Sequence, residues 1–336
     1  MGIICYIIKH KFFIMHMNTK PDLVNCPICE NEHTNILEEK LGEQPFFINW
    51  KDNHIFKDRK LSKCQKCESV FIPDFLDNAD LSAFYADIYK NYHAPKHSSH
   101  DIFHSRYHPR YLSQAIAINN SINLEDGMKC LEIGANVTSI SPALSNFVKH
   151  DFFYYDQYDS DIIANYGGQR IGEYFTRDSI VDDIDLIVSS HTFEHFNPSE
   201  LQVTIEAIVK CLKPGGHIFV EVPNDVDRGL FDAPHTLFYS INGLSALFQN
   251  KGLEMVMCHK SPVIMTKNIP GSRVENSKKL LTRLKETLFN IFLPIFGHNN
   301  VIFKKYSNLR LNKFIRNSDC LYDGRSYHRV IFRKPV

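Results

Sequence analysis

The sequence predicts an α/β protein, a doubly wound parallel sheet preceded by a small cysteine-bearing module. Three observations carry this. From Met128 onward, short apolar runs alternate with helical patterns, two Cys-x-x-Cys pairs stand near the amino terminus, and 336 residues with 43% hydrophobic composition suffice for one large domain and a smaller one. Thirty-eight basic against 38 acidic side chains give no formal net charge, which argues against a whole-molecule grip on nucleic acid or on an anionic membrane.

The four cysteines Cys26, Cys29, Cys64 and Cys67 form two pairs, each with two intervening residues. Such pairs let two turns present four sulfurs to one ion, so the reading is a structural Zn2+ with a closed tetrahedral shell and no position for catalysis. The residues between the pairs, with Phe46, Phe47, Trp50 and Phe56 among them, are expected to hold a small hairpin. The other five cysteines (5, 130, 211, 258, 320) stand singly and read as packing or surface residues.

No segment approaches the ~20 apolar residues needed to cross a bilayer. Met1 to Met17 is too broken for a signal peptide, and reads as a mis-assigned extension or loose tail before a start at Met15 or Met17. A cytoplasmic location is therefore expected, which agrees with a metal reading of the cysteines.

The expected organisation is an extension over 1–20, a zinc module over 21–78, a helical linker or flap over 79–123, and the large domain over 124–336. In the linker, Leu81 to Tyr92 and His104 to Asn119 have helical spacing, and the histidine-rich stretch between them (His93, His97, His100) reads as a polar flap, since Pro95 interrupts it. In the large domain, strands are expected at Met128–Ile133, Phe152–Tyr155, Asp185–Ser189 and His217–Val222. The helix Ser199–Leu212 should stop at Lys213-Pro214-Gly215-Gly216, because Pro cannot continue it and Gly permits reversal.

Ligands in such sheets bind beyond the carboxyl ends of the strands. The residues there are Glu132, Gly134, Asn136 and Thr138 around the end of Met128–Ile133, Asp156 after Phe152–Tyr155, Glu173 after a further strand expected to end near Gly172, His191 to His195 after Asp185–Ser189, and Pro223-Asn224 with His235 after His217–Val222. Asp156 is a carboxylate placed to accept hydrogen bonds from a ribose diol.

These strand ends, and above all the stretch Asp185 to Asn224, resemble class I S-adenosylmethionine-dependent methyltransferases. The preceding module resembles the zinc-binding domain of some members, including sugar C-methyltransferases. The resemblance covers roughly Asn25 to Pro262 and implies a Rossmann-like seven-stranded sheet with a zinc-ribbon-like domain, an S-adenosyl-L-methionine cofactor and methyltransferase activity. It further implies that Glu132, Gly134 and Asn136 line the methionine end, Asp156 holds the ribose, Glu173 approaches the adenine, and His191 flanks the methyl donor. Asn136 and Thr138 stand where relatives have glycines. Asn tolerates positive φ and β-branched Thr does not, so the turn is expected to be reshaped.

His195 and His235 are the candidate bases, as imidazole titrates near neutrality. Tyr89 and Tyr92 lie in the segment where the sugar C-methyltransferases carry an active-site tyrosine, so Tyr92 or Tyr89 is a candidate acid or substrate contact, the other reading being core packing of an amphipathic helix. The same relatives have a Glu-His pair in place of Pro234-His235, so oxygen methylation stands beside carbon methylation here. His191, Glu194 and His195 at i, i+3 and i+4, with His235, also suit a second divalent metal such as zinc, iron or manganese; the other reading of Glu194 is that it orients a histidine. A basic insert over 270–320, with ten Lys or Arg against two acids in 273–316, is either a solvated cap or a lid for a phosphate-bearing or lipid-linked substrate. The expected function is methyl transfer to a hydroxyl or carbon of a sugar, nucleotide sugar or glycan precursor. The alternatives are an RNA methyltransferase that reads through the zinc module, and a binding protein with a degenerate pocket.

Overall fold

A computed structural model describes residues 25–42, 55–74, 76–89, 109–135, 139–156, 167–176, 178–179, 181–262 and 326–336, with backbone only at 87–89, 109–110, 259–262 and 326. The expected extension, the histidine-rich flap and the basic insert lie outside these residues, as do Tyr92, Asn136 and Thr138.

The large domain is a seven-stranded sheet. Its strands are β4 (Met128–Ile133), β5 (His150–Tyr155), β6 (Gly168–Gly172), β7 (Ile184–Ser190), β8 (Leu212–Pro223), β10 (Glu254–Pro262) and β11 (Ser326–Arg333), arranged in the order β10-β11-β8-β7-β4-β5-β6. The pairings β6–β5–β4–β7–β8 are parallel, and β11 runs antiparallel to both β8 and β10. This is the Rossmann-like, doubly wound sheet that the strand pattern and the resemblance predict.

Alternation along the strands explains the layers. In β4, Leu131 and Ile133 pack on one face with Ile205, Ile208, Leu244 and Phe248, while Met128 and Cys130 face the other with Ala115, Ile118 and Leu144. In β8, Ile218, Val220 and Val222 take the first face and Phe219 the second. A period of two on strands buried on both sides requires apolar residues at nearly every position, which is what these strands carry.

Four longer or well-capped helices matter for the site. They are α1 (Asn78–Ala83), α2 (Pro109–Ser121), α4 (Leu201–Cys211) and α6 (Ile241–Gln249); the short α3 (Ser141–Leu144) and α5 (Asp225–Arg228) lie between them. The expected start of α2 at His104 falls outside the described residues; the described helix begins at Pro109, whose fixed φ suits a first turn. After α1 the chain continues as a π-helix, Phe84–Tyr89, where a continuous α-helix to Tyr92 is expected from the spacing. The stop after α4 also differs from expectation. The chain enters β8 directly at Leu212 and reverses inside the strand, where the register jumps from Ile184↔Leu212 to Leu186↔His217. Gly215 takes φ +76°, and a Cβ at Gly216 would lie 2.8 Å from the Ile184 carbonyl.

The cysteine module is not separate from the large domain. Its strands β1 (Thr34–Lys40), β2 (Lys60–Cys64) and β3 (Val70–Phe71) form an antiparallel sheet, which includes the expected hairpin, and β3 pairs with β9 (Leu237–Phe238) from the large domain. Their common core holds Leu61, Val70, Ile72 and Phe84 beside Phe231, Ala233 and Phe238. Ser240, the N-cap of α6, seals the joint. Its hydroxyl accepts from Gly243 N–H at 2.9 Å and donates to the Cys67 carbonyl, and its own N–H donates to Ser69 Oγ at 3.0 Å. Gln202 on α4 donates to the carbonyls of Pro27 and Ile28 at 2.8 and 3.1 Å, binding the first cysteine turn to the same domain.

Candidate active site

A cavity of about 430 Å³ opens at the carboxyl ends of β4, β5 and β7, where strand order reverses on either side of β4. One end is lined by Gly134, Tyr155, Asp156, Glu173 and Phe175. The other is lined by Asn78, Ser82, Tyr85, His195, Asn197 and Glu200, from α1, the π-helix and the segment after β7. His191 and Thr192 belong to the same wall. The volume falls in the range of small-ligand sites, ~300–1,000 Å³.

The first end has the features that a nucleoside-bearing cofactor needs. Gly134 has φ +76°, and a Cβ there would stand 2.1 Å from Thr192 Oγ1, so no other residue fits this turn. Asp156 is buried at the end of β5; its N–H donates to the Gly172 carbonyl at 3.1 Å, and its carbonyl accepts from Arg170 Nε at 2.9 Å. The carboxylate is therefore carried on fixed backbone. Tyr155 and Phe175 meet edge to face at 5.2 Å and form an apolar side, with Glu173 exposed at the rim.

Glu132 is placed differently from expectation. It is 2% exposed and lies beneath the turn, outside the cavity wall. Its carboxylate accepts from the Ser139 hydroxyl and, at 3.2 Å, from the Ile140 N–H. Burial, with a smaller contribution from the Asp156 charge, pushes its carboxyl up to about 8 against these two donors. Its role is to hold the loop that follows Gly134 rather than to line the methionine end.

At the second end a buried polar cluster follows β7. His191 has φ +54° and its ring lies between two carboxylates, with Nδ1 3.2 Å from Glu194 Oε1 and Nε2 3.5 Å from Glu221 Oε1. Glu221 is itself fully buried and is held by Arg329 Nε at 2.5 Å and Gln114 Nε2 at 2.7 Å. The 3-10 turn Phe193–His195 carries Glu194 and His195. His195 Nδ1 lies 2.8 Å from the Tyr85 hydroxyl, and the His235 ring packs against His195 at 4.9 Å. His235 sits behind the cavity wall, with Nδ1 3.3 Å from Asp225 Oδ2. Burial alone would lower its pKa, but the Asp225 hydrogen bond and the Glu194, Asp225 and Asp232 charges reverse this and the net shift is upward.

The expected residues thus divide. Gly134, Asp156, Glu173, His191 and His195 line one cavity, whereas Glu132 and His235 support it from behind. Tyr85 is the functional residue that the sequence reading missed, because its spacing matched the apolar face of a core helix. Its signal was a hydroxyl on that face.

The four cysteine sulfurs lie within 4.8 Å of one another, with Cys26–Cys67 and Cys29–Cys64 at 3.7 and 3.5 Å. A tetrahedron with Zn–S of ~2.3 Å has edges of about 3.8 Å. All four are buried, and four thiolates brought together away from water call for a cation. The cluster fits zinc. Among the described residues, no helix is long and apolar enough to cross a membrane.

Fold and cavity together define a doubly wound domain with a ligand-sized cavity at its topological switch point. Residues 104–257 match the family described as methyltransferase domain. Among solved structures, the chain is similar to Burkholderia thailandensis 1,6-didemethyltoxoflavin-N1-methyltransferase, at 11% identity, over 83% of this chain and 97% of that one, with a TM-score of 0.47. It is similar to Haemonchus contortus phosphoethanolamine N-methyltransferase 2 at 11% identity, over 80% of this chain, with a TM-score of 0.42; there the match spans 62% of the other chain, less than two thirds of its length. The N-methyltransferase NodS of Bradyrhizobium japonicum WM9 matches at 11% identity, over 68% of this chain and 86% of that one, with a TM-score of 0.37. No curated protein matches the sequence significantly.

Proposed function

We propose that this protein transfers a methyl group from S-adenosylmethionine to a hydroxyl of a sugar-type small molecule, such as a nucleotide sugar or glycan precursor, in the cytoplasm. The observation that carries the reading is that one cavity joins Gly134, Asp156 and Glu173 to Tyr85 and His195.

When bound, the cofactor supplies an electrophilic methyl on a sulfonium. The chain does the rest. Gly134 leaves room for close approach, Asp156 accepts the ribose hydroxyls, and the Tyr155–Phe175 side excludes water from the adenine. Ser82 and Glu200 offer a hydroxyl and a carboxylate to a polyhydroxylated acceptor, which favours a sugar over an apolar substrate. Asn78 and Asn197 brace this wall through their bonds to each other, to Glu200 and to the Leu76 carbonyl. Transfer needs the acceptor oxygen held in line at ~3 Å and relieved of its proton. The cluster of Glu194, His195 and His235 stands at that end, and relieves it through an imidazole or through a cation that the three residues hold. Zn2+ at Cys26, Cys29, Cys64 and Cys67 holds the module that carries one wall.

The test is transfer of a labelled methyl group to a panel of nucleotide sugars, with RNA as the competing acceptor. Label in a nucleotide sugar, lost in His195→Ala, is expected. Label only in RNA would replace this reading with the nucleic-acid one, and label in neither, without cofactor binding, would leave a binding protein.

A further inference from the structure

Glu194 is not accounted for by its protein neighbours. It is 1% exposed, and neither carboxylate oxygen has a hydrogen-bond donor; His191 Nδ1 comes within 3.2 Å of Oε1 without the alignment of a hydrogen bond. Buried carboxylates are normally paired or bound to metal. One donor atom each of Glu194, His195 and His235 lies within 4.8 Å of the other two.

The two imidazoles are aimed. The Tyr85 hydroxyl sits 2.8 Å from Nδ1 of His195, and Asp225 Oδ2 sits 3.3 Å from Nδ1 of His235. A ring held through Nδ1 presents Nε2 to an ion, which is how outer partners orient ligand histidines. The backbone is fixed as well. Thr236, next to His235, donates its N–H and its hydroxyl to the Glu194 carbonyl at 2.8 and 3.2 Å, so the two segments that carry the three side chains are clamped together.

We propose that Glu194, His195 and His235 hold one divalent first-row cation in the wall of the cavity, where His195 lines the acceptor end and Glu194 and His235 reach the ion from behind, with open positions toward the cavity for two adjacent hydroxyls of the substrate. Two imidazoles and a carboxylate suit manganese, iron or zinc, and three protein ligands leave part of the shell open. His191, expected as a fourth ligand, is outside this set; it lines the cavity between Glu194 and Glu221. The cation gives Glu194 its counter-charge and makes a bound hydroxyl more acidic. That hydroxyl loses its proton to water, its oxygen pair forms the bond to the methyl carbon, and the methyl–sulfur bond breaks with its pair left on sulfur. His195 is then a ligand and not the base. The role toward the acceptor rests on the methyl-transfer reading, whereas binding of the ion does not.

The test is a Mn2+ titration of the full-length, zinc-loaded chain, followed by the electron paramagnetic resonance of free Mn2+. Mn2+ disfavours thiolates, so the Cys site does not interfere. One Mn2+ per chain is expected beyond the Cys-bound zinc, lost in Glu194→Gln and in His235→Gln while zinc content and S-adenosylmethionine binding persist. Should those variants fail to fold, Asp225→Asn keeps all three ligands and should weaken Mn2+ by about tenfold. Absence of Mn2+ and Co2+ binding at millimolar ion overturns the proposal, and so does affinity unchanged in Glu194→Gln and His235→Gln or, if those fail to fold, in Asp225→Asn. Mn2+ bound in the expected way without any methyl transfer would leave the ion site standing and remove the methyl-transfer reading.

Discussion

At the scale of single residues, Gly134 and Glu132 lie two positions apart and act in opposite ways. Gly134 is open to the cavity and cannot carry a side chain: φ is +76° and a Cβ would meet Thr192 Oγ1 at 2.1 Å. Gly134→Ala should abolish S-adenosylmethionine binding in calorimetry, and binding at wild-type affinity would show that the turn is not used. Glu132 is closed off, with its carboxyl pushed up to about 8 by burial. A carboxyl raised in the folded state keeps its proton there after the unfolded chain has lost it. The associated stability is therefore complete below the ordinary value of about 4.5 and is lost as pH rises to about 8, at up to ~1.4 kcal/mol per pH unit. Glu132→Gln cannot ionise. Its urea midpoint, compared with that of the wild type, should gain steadily from pH 5 to pH 8, and parallel profiles would show that Glu132 is not held neutral.

At the scale of elements, legibility followed periodicity. The strands β4, β5, β7 and β8 were readable because burial on both faces demands continuous apolar runs, and Asp156 and His191 followed from being next to them, whereas Glu173, at the end of β6, came from the resemblance. The π-helix Phe84–Tyr89 was not readable, since its residues have the same apolar spacing as an α-helix and its local geometry depends on what it packs against. Tyr85 was misread for the same reason, because its partner His195 lies 110 residues away. The strand β9 was hidden by its length of two residues and by a pairing with β3 that only the folded chain creates. Tyr85→Phe should lower kcat roughly tenfold with cofactor affinity unchanged, as expected for a residue that acts by holding His195. An unchanged kcat would reduce the contact to packing.

At the scale of the whole molecule, the cysteine module and the methyltransferase domain share a sheet, a core and the Ser240 joint. His235 lies two residues before β9, so the strand that completes the cysteine-bearing sheet also positions the imidazole behind the cavity wall. Removing the metal with a strong chelator should therefore lower the thermal midpoint of the chain in one transition and weaken cofactor binding with it. Two transitions, with cofactor affinity intact in the second, would mean that the module is an appendage. The balance of 38 charges against 38 conveys none of this, because coupling between the two parts comes from buried contacts and not from net charge.

In the proposed function, the cavity at the switch point of the sheet binds S-adenosylmethionine through Gly134 and Asp156. Calorimetric titration of the zinc-loaded chain tests it most directly. One cofactor per chain, with affinity reduced at least tenfold in Asp156→Ala, is the predicted result, since loss of a bidentate carboxylate contact is worth ~1.4 kcal/mol or more. No heat at millimolar cofactor, or binding indifferent to Asp156→Ala, would contradict it.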